Sequence, residues 1–174
     1  MRRFTPIVLL IVAGCSSAPL PPRPAPSSIA HAPRPALRAD FLRVRKAART
    51  LEVWSGRQLL LTVADIQLGP EPHGAKRFEG DGRTPEGRYR IDWRNPRSAY
   101  HLSLHVSYPT AAQVAAARAV GRSAGGLIMI HGQPNASPER IAGDWTDGCI
   151  AVSNREIETL WRLVPDGAEI EIVP

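Results

Sequence analysis

From residue 39 onward, apolar and polar positions alternate in short runs. Phe41 to Lys46 (FLRVRK) alternates, and Thr50 to Trp54 (TLEVW) is β-prone. Ser55-Gly56 is a turn, and Gln58 to Ile66 (QLLLTVADI) reads as one longer strand. These runs predict a meander or paired hairpins. Gly69 to Gly87 is rich in Gly and Pro and reads as a long loop. Tyr89 to Trp93 and Leu102 to Ser107 are further strands. Two segments switch to helical spacing. Thr110 caps the first, with Gln113 as its capping-box partner and Gly121 as its stop. Ser153 and Glu156 form a second capping box, after which Ile157, Leu160, Trp161 and Val164 fall on one helical face. Between the helices, Leu127 to Ile130 (LIMI) predicts a short strand buried on both faces, and Cys149 to Val152 another. Asp166-Gly167 turns the chain into a last alternating strand, Ala168 to Val173. The expectation is a mostly β domain with two helices. No βαβ rhythm points to a parallel nucleotide-binding sheet.

The first 38 residues follow a different pattern. Arg2 and Arg3 precede an uncharged apolar run, Ile7 to Ala13, too short to span a bilayer. That is the pattern of a secretory signal, residues 1 to 14. It ends in Val12-Ala13-Gly14-Cys15, which resembles a bacterial lipobox. Small residues at 13 and 14 let the backbone enter a peptidase site, and the Cys15 thiol accepts the lipid. Ser16 after the Cys implies an outer-membrane lipoprotein facing the periplasm. Residues 15 to 38 then carry Pro19, Pro21, Pro22, Pro24, Pro26, Pro33 and Pro35, the composition of an extended linker. At about 3 Å per residue such a linker spans several tens of Å. The folded domain is expected at 39 to 174.

Composition narrows the class. At 174 residues and 43% hydrophobic, the chain has room for one core and is not wholesale disordered. A formal charge of +6, carried almost entirely by Arg, suits anionic polymers or membrane surfaces. It forms no dense basic stripe, so no nucleic acid is expected as a partner. Two cysteines are too few for a disulfide framework or a zinc ligand set. His101 and His105, four apart on one strand face, lack a third ligand motif and make a poor metal site. They are left to line a cleft or to pack on polar neighbours.

The chemistry concentrates at two positions. His131 ends the apolar LIMI run and precedes Gly132, which sets an imidazole at the rim of the sheet. Cys149 opens a strand after Gly148, whose freedom at positive φ lets the thiol point into a cleft beside free amides. An imidazole near a thiol favours the thiolate, the reactive species. The residues alone are equally compatible with a buried inert Cys and an unrelated His. If Cys15 is lipidated, Cys149 is the one free thiol in an oxidising compartment, which is itself a mark of reactivity.

Ile130-His131-Gly132, followed by Asp144-Trp145-Thr146-Asp147-Gly148-Cys149-Ile150-Ala151-Val152-Ser153, resembles the signature of the L,D-transpeptidase (YkuD-type) catalytic domain. Upstream, Lys76 and Glu79-Gly80-Asp81-Gly82-Arg83-Thr84-Pro85-Glu86-Gly87 is similar to that family's Gly-Asp-x-x-Thr-Pro-x-Gly loop. Tyr100 to Leu104 and Ser107-Tyr108-Pro109 resemble a segment of one wall-enzyme branch. The likeness covers roughly residues 40 to 174. It implies a β-rich, sandwich-like fold and action on peptidoglycan stem peptides without metal or organic cofactor. It implies Cys149 as nucleophile and His131 as base, with a main-chain carbonyl near Gly132 orienting the imidazole. Thr146 would support the site by hydrogen bonding, and Gly148 with the amides around Cys149 would hold the oxyanion. Two positions depart from the family pattern: Asp147 stands where many relatives have His, and Ala151 where many have Arg. The substrate-carboxylate contact is therefore unassigned, with Arg83, Arg122 and Arg140 as candidates. Asp147 is expected to point away from the thiol, whose pKa its charge would raise; the alternative is that it receives the cationic end of a diaminopimelate side chain.

The resemblance implies attack on the diaminopimelate–D-alanine bond and an acyl-thioenzyme resolved by an amine, from a second stem or from a wall-attached protein. The Gly69 to Gly87 loop and the Gly132 to Asp144 segment are expected to wall the thioester off from water. Water as acceptor, giving an L,D-carboxypeptidase or an amidase, is the first rival. A non-catalytic peptidoglycan-binding lipoprotein is the second.

Overall fold

The computed structural model describes residues 37–174. The signal at 1 to 14, Cys15 and the Pro-rich linker up to residue 36 lie outside the described residues. Eight strands and two helices follow in the order β1 (Phe41–Arg45), β2 (Thr50–Ser55), β3 (Gln58–Val63), β4 (Gly87–Ser98), β5 (His101–Val106), α1 (Ala111–Ala119), β6 (Met129–His131), β7 (Ile150–Ala151), α2 (Asn154–Leu163) and β8 (Glu169–Val173). The mostly β class with two helices is as expected from the sequence. The strands form one sheet in the order β3-β2-β1-β8-β4-β5-β6-β7.

β4 joins two halves of this sheet. Gly87 to Arg90 pairs with β8, while Ile91 to Ser98 pairs with β5. Two register shifts interrupt the second pairing, after Ile91 and after Asn95. Such irregularities bend a strand and let it change neighbours. They also explain how Pro96 sits inside a strand that the sequence ends at Trp93: Pro is tolerated at bulges.

Two pairings are parallel, β1 with β8 and β6 with β7. The sequence reading did not foresee either. The last strand returns to the middle of the sheet rather than to its neighbour in sequence. Its burial alternates, with Ile170 and Ile172 inside, which is what a strand with one face on the core requires. Both helices carry the capping boxes read from the sequence, on Thr110 and on Ser153. Ile157, Leu160 and Val164 of α2 and its end sink into the same core as Leu104, Ile130 and Ile170. Arg94 of β4 closes the helix by donating to the carbonyls of Trp161 and Val164.

Beyond the longer β4 and a β7 cut to Ile150–Ala151, two other strand boundaries differ from the expectation. The run from Gln58 ends at Val63, because Asp65 takes a left-handed backbone (φ 54°) and turns the chain away. Ile66 to Leu68 then crosses to the other edge, where Gln67 and Ala151 exchange both backbone hydrogen bonds. The LIMI strand is displaced by two residues. Leu127 is exposed and left-handed (φ 53°), and the strand runs instead from Met129 into His131.

Candidate active site

β5, β6 and β7 lie side by side, so alternation fixes what faces the core. Leu104 of β5 and Ile130 of β6 point inward. Ser103, His105, Met129 and His131 therefore share the opposite face, with Ser103 beside His131 and His105 beside Met129. On this face a cleft of about 330 Å³ opens between Ser98, Tyr100, Ser103, Gly126 to Met129, His131 and Trp145 to Asp147, with Cys149 among its walls. His131 and Cys149 thus meet in one cleft, though they are far apart in sequence.

His131 is 3% exposed. Its Nδ1 lies 2.7 Å from the carbonyl oxygen of Gly132. A carbonyl only accepts, so Nδ1 carries the proton and Nε2 keeps its lone pair. The ring is held between aromatic neighbours: Tyr100 tilts over it at 4.6 Å between centroids, and Trp145 meets it edge-on at 5.6 Å. Burial pushes the imidazole pKa down, and the Gly132 bond opposes that in part. The ring is neutral at neutral pH, the state a base requires.

Cys149 Sγ accepts from the Met129 amide at 3.3 Å and donates toward the Leu127 carbonyl at 3.5 Å. Burial is the main cause that pushes its thiol pKa up, and the carboxylate of Asp147 adds to it. The Met129 amide and the charge of Lys76 act in the opposite direction. Asp147 was expected to point away. It lines the same cleft, and its charge reaches the sulfur. Burial thus disfavours both the charged imidazole and the charged thiolate in this cleft.

The backbone around the sulfur is fixed by three close approaches. Gly148 has φ 115°, and a Cβ there would lie 2.4 Å from the Arg83 carbonyl oxygen. The Gly69–Gly87 loop therefore runs beneath the Gly-Cys turn, and none of its residues lines the cleft. Thr146 Oγ1 donates to the Cys149 carbonyl at 2.8 Å and accepts from the Gly148 amide at 3.3 Å. Of the two amides at the turn, that of Cys149 has no protein acceptor among the described residues. A Cβ on Gly132 would meet Asn154 Oδ1 at 2.5 Å, so Gly132 lets α2 dock against the histidine turn. Asn154 Oδ1 in turn accepts from the Gln133 amide.

The loop beneath the turn has its own buried lock. Lys76 Nζ lies 3.0 Å from Asp81 Oδ1, and the two Asp81 oxygens also accept from the amides of Arg77, Phe78 and Arg83. These donors hold the Asp81 carboxyl below its ordinary pKa despite burial.

The 133–144 segment is tied down away from the cleft. Gln67 Nε2 donates to the carbonyls of Ile141 and Gly143, and Gln133 Nε2 donates to Gln67 Oε1 and the Val152 carbonyl. Arg49 grips Asp144 with two bonds of 2.8 and 2.6 Å. Neither segment expected to wall off the thioester reaches the cleft. Ala151, where many relatives carry Arg, is fully buried between β6 and Gln67. None of the three candidate arginines lines the cleft. Arg122 stacks over Phe78 at 4.2 Å, Arg140 donates to the Asp65 carbonyl, and Arg83 lies by Gly74. His101 and His105 pack on polar neighbours, Glu158 and Asp92 respectively. Among the described residues, no group of three His, Cys, Asp or Glu side chains is placed to hold a metal.

The aromatic pair and the glutamine network were missed by the sequence reading. Tyr100 and Trp145 sit inside quoted motifs, so proximity to His131 and Cys149 was an available signal for them. Gln67 and Gln133 carry none, because their partners are backbone carbonyls remote in sequence.

A family model of the L,D-transpeptidase catalytic domain, YkuD, matches residues 39–172. The chain belongs to the YkuD family. Among solved structures, this YkuD domain is similar to the helical cell shape determining protein Pgp2 from Campylobacter jejuni, at 26% identity and a TM-score of 0.61. That match covers 77% of this chain and 47% of Pgp2. Bd1075 of Bdellovibrio bacteriovorus follows at 24% identity and a TM-score of 0.55, over 79% of this chain and 49% of that one. An L,D-transpeptidase from Mycobacterium smegmatis, at 14% identity and a TM-score of 0.52, covers 78% of this chain and 59% of its own. The latter two likenesses show the fold. The YkuD chain thus spans about half the length of the first two structures it matches. No curated protein matches it.

Proposed function

We propose that this YkuD domain is a peptidoglycan L,D-transpeptidase that works through an acyl-thioenzyme on Cys149. The carrying observation is that His131, with Nδ1 committed to the Gly132 carbonyl, shares one cleft with the Cys149 sulfur. Nε2 takes the thiol proton as Sγ attacks the carbonyl of the diaminopimelate–D-alanine bond. The Cys149 amide faces the developing oxyanion, while Thr146 braces the turn through the Cys149 carbonyl and the Gly148 amide. Collapse breaks the C–N bond, and the D-alanine amine leaves with the proton from His131. An amine then attacks the thioester, from a second stem or a wall-attached protein, and the thiol is restored. No metal or organic cofactor enters any of these steps.

Water as acceptor is the second reading. It is favoured by the position of the 69–87 loop and the 133–144 segment, which leave the cleft without the expected walls. The likeness to Pgp2, described as a helical cell shape determining protein, supports wall remodelling under either acceptor. Mass spectrometry of peptidoglycan incubated with residues 39 to 174 decides between them. Dimers joined through two diaminopimelates, or amine-exchanged stems, are the expected products. Tripeptides alone, even at high added amine, would establish the hydrolase.

The same proposal includes the address. Cys15 carries a lipid that anchors the protein at the outer membrane on the periplasmic side, with residues 15 to 38 as tether. Cys15→Ser is expected to leave the membrane fraction or fail to mature. Equal membrane recovery of both forms, without lipid on the wild type, defeats that part.

A further inference from the structure

The catalytic face of the sheet continues past the cleft. Ser103 lines the cleft, and His105 lies two residues further along the same face of β5, paired with Met129. Met129 itself lines the cleft and donates to the sulfur. One strand further out, β4 skips register between Ile91 and Arg94, and Asp92 and Trp93 occupy the bulge. Ile91 stays in the core. Trp93 lies flat on His105, with 4.6 Å between centroids and 17° between planes, and His105 Nδ1 is 2.6 Å from Asp92 Oδ1. The result is a fixed group: an aromatic ring, an imidazole clamped beneath it, and a carboxylate.

The group is open to solvent. Trp93 is 40% exposed, among the most exposed large apolar residues of the described chain, and the Asp92 side chain is 42% exposed. Asp92 Oδ2 has no protein partner among the described residues. A Trp ring beside a free carboxylate oxygen is the arrangement that attracts a primary ammonium, by cation–π contact and ion pairing. Nothing in the proposed chemistry uses these three residues.

We infer that Asp92 and Trp93, positioned by His105, bind the free ammonium of the diaminopimelate side chain of the donor stem. This rests on the proposed substrate. An amine that attacks the thioester has to reach the acyl carbon at Cys149, so an ammonium held on β4 is one that does not react. The spacing fits the donor. Cys149 precedes β7, but its sulfur is held by the Met129 amide of β6, and two strand spacings of about 4.8 Å separate β6 from β4. The diaminopimelate chain from the attacked carbonyl to its distal nitrogen runs six bonds, about 7 Å at about 3.5 Å per three bonds. The Asp92 side chain supplies the remainder. The site also provides a selectivity that the missing Arg at Ala151 does not: the donor is gripped by its cation.

The test is binding of tetrapeptide stems to full-length Cys149→Ala protein in detergent, measured by calorimetry. One stem carries the free distal amine, the other the same amine acetylated. The free stem is expected to bind about tenfold more tightly. Asp92→Asn added to Cys149→Ala is expected to erase that difference while leaving affinity for the acetylated stem unchanged, which also reports an intact fold. Trp93→Leu is expected to shrink it. Equal affinity of Cys149→Ala for both stems, no binding of either, or a preference that survives Asp92→Asn, overturns the subsite. Mass spectrometry of wild-type protein with the free stem reads the other claim separately. A preference for the free amine with no acyl adduct on Cys149 keeps the subsite and removes the proposed chemistry.

Discussion

The two halves of the sheet obey the same alternation and use its outward face differently. In the half made of β3, β2, β1 and β8, inward positions are apolar, and outward positions carry solvated ion pairs such as Arg45 with Glu52 and Arg43 with Glu171. In the half made of β5, β6 and β7, the outward face is polar yet buried: Ser103, His105 and His131 are all under a tenth exposed. Burying polar groups costs free energy unless each finds a partner. The first half spends its outward face on solubility. The second accepts that cost to hold an imidazole and a thiol out of water, and its neighbours are arranged accordingly. A buried polar outward face is thus the mark of the working half.

The sharpest way to test this contrast is at the sulfur. Cys149→Ala is expected to lower D-alanine release by at least about a thousandfold. Its melting temperature should stay near wild type, because one sulfur leaves a half-open cleft. Undiminished release would remove the Cys mechanism and with it the reason for the buried face.

At the base, His131→Gln is expected to lose about a hundredfold or more in kcat/KM. The wild-type pH profile gives the finer reading. Folded His131 titrates below its ordinary 6.5, so activity persists as pH falls through 6.5 and is lost only lower down. Stability runs the other way. The unfolded chain takes up a proton near 6.5 that native His131 refuses, so the His131 contribution declines as pH falls through that value. An acid limb of kcat/KM lying above 6.5 would contradict a buried neutral base.

Gly148→Ala tests the backbone rather than a side chain. The new Cβ meets the Arg83 carbonyl, and φ 115° disfavours any L-residue. A loss of about 1–3 kcal/mol in chemical denaturation is expected, with activity falling as the turn shifts. A neutral result would mean the 69–87 loop yields easily. The smallest effect belongs to the other half. Arg45→Ala breaks a solvated pair whose Arg is 45% exposed, and stability should change by less than about 0.5 kcal/mol with no change in activity. A large loss there would collapse the contrast between the halves.

What was legible in the sequence is what local chemistry encodes. Both capping boxes read true because Thr110 and Ser153 reach only three residues ahead. Alternation at Phe41, Thr50 and Ala168 gave the strands of the plain half, where nothing competes with the period of two. His131 and Cys149 were legible as a spaced motif, and the structure brings them into one cleft. The failures share a cause. The parallel placement of β8, the crossing of Gln67 to Ala151 and the Gln67–Gln133 network depend on partners more than 60 residues away, as in the Gln133–Gln67 bond with a separation of 66. The long apolar run at Leu127 misled because hydrophobicity alone does not show that a left-handed residue will turn it outward. The expected walls of the cleft failed for a similar reason: flanking a motif in sequence is not flanking it in space.

The chain contains only two lysines, Lys46 and Lys76. Both are buried, and each ammonium is paired with a carboxylate, Glu86 and Asp81 respectively. All remaining basic side chains but histidine are arginines, whose guanidinium groups stay protonated and do not attack thioesters. Under the proposed mechanism, an acyl group on Cys149 would therefore meet no exposed lysine amine of its own chain.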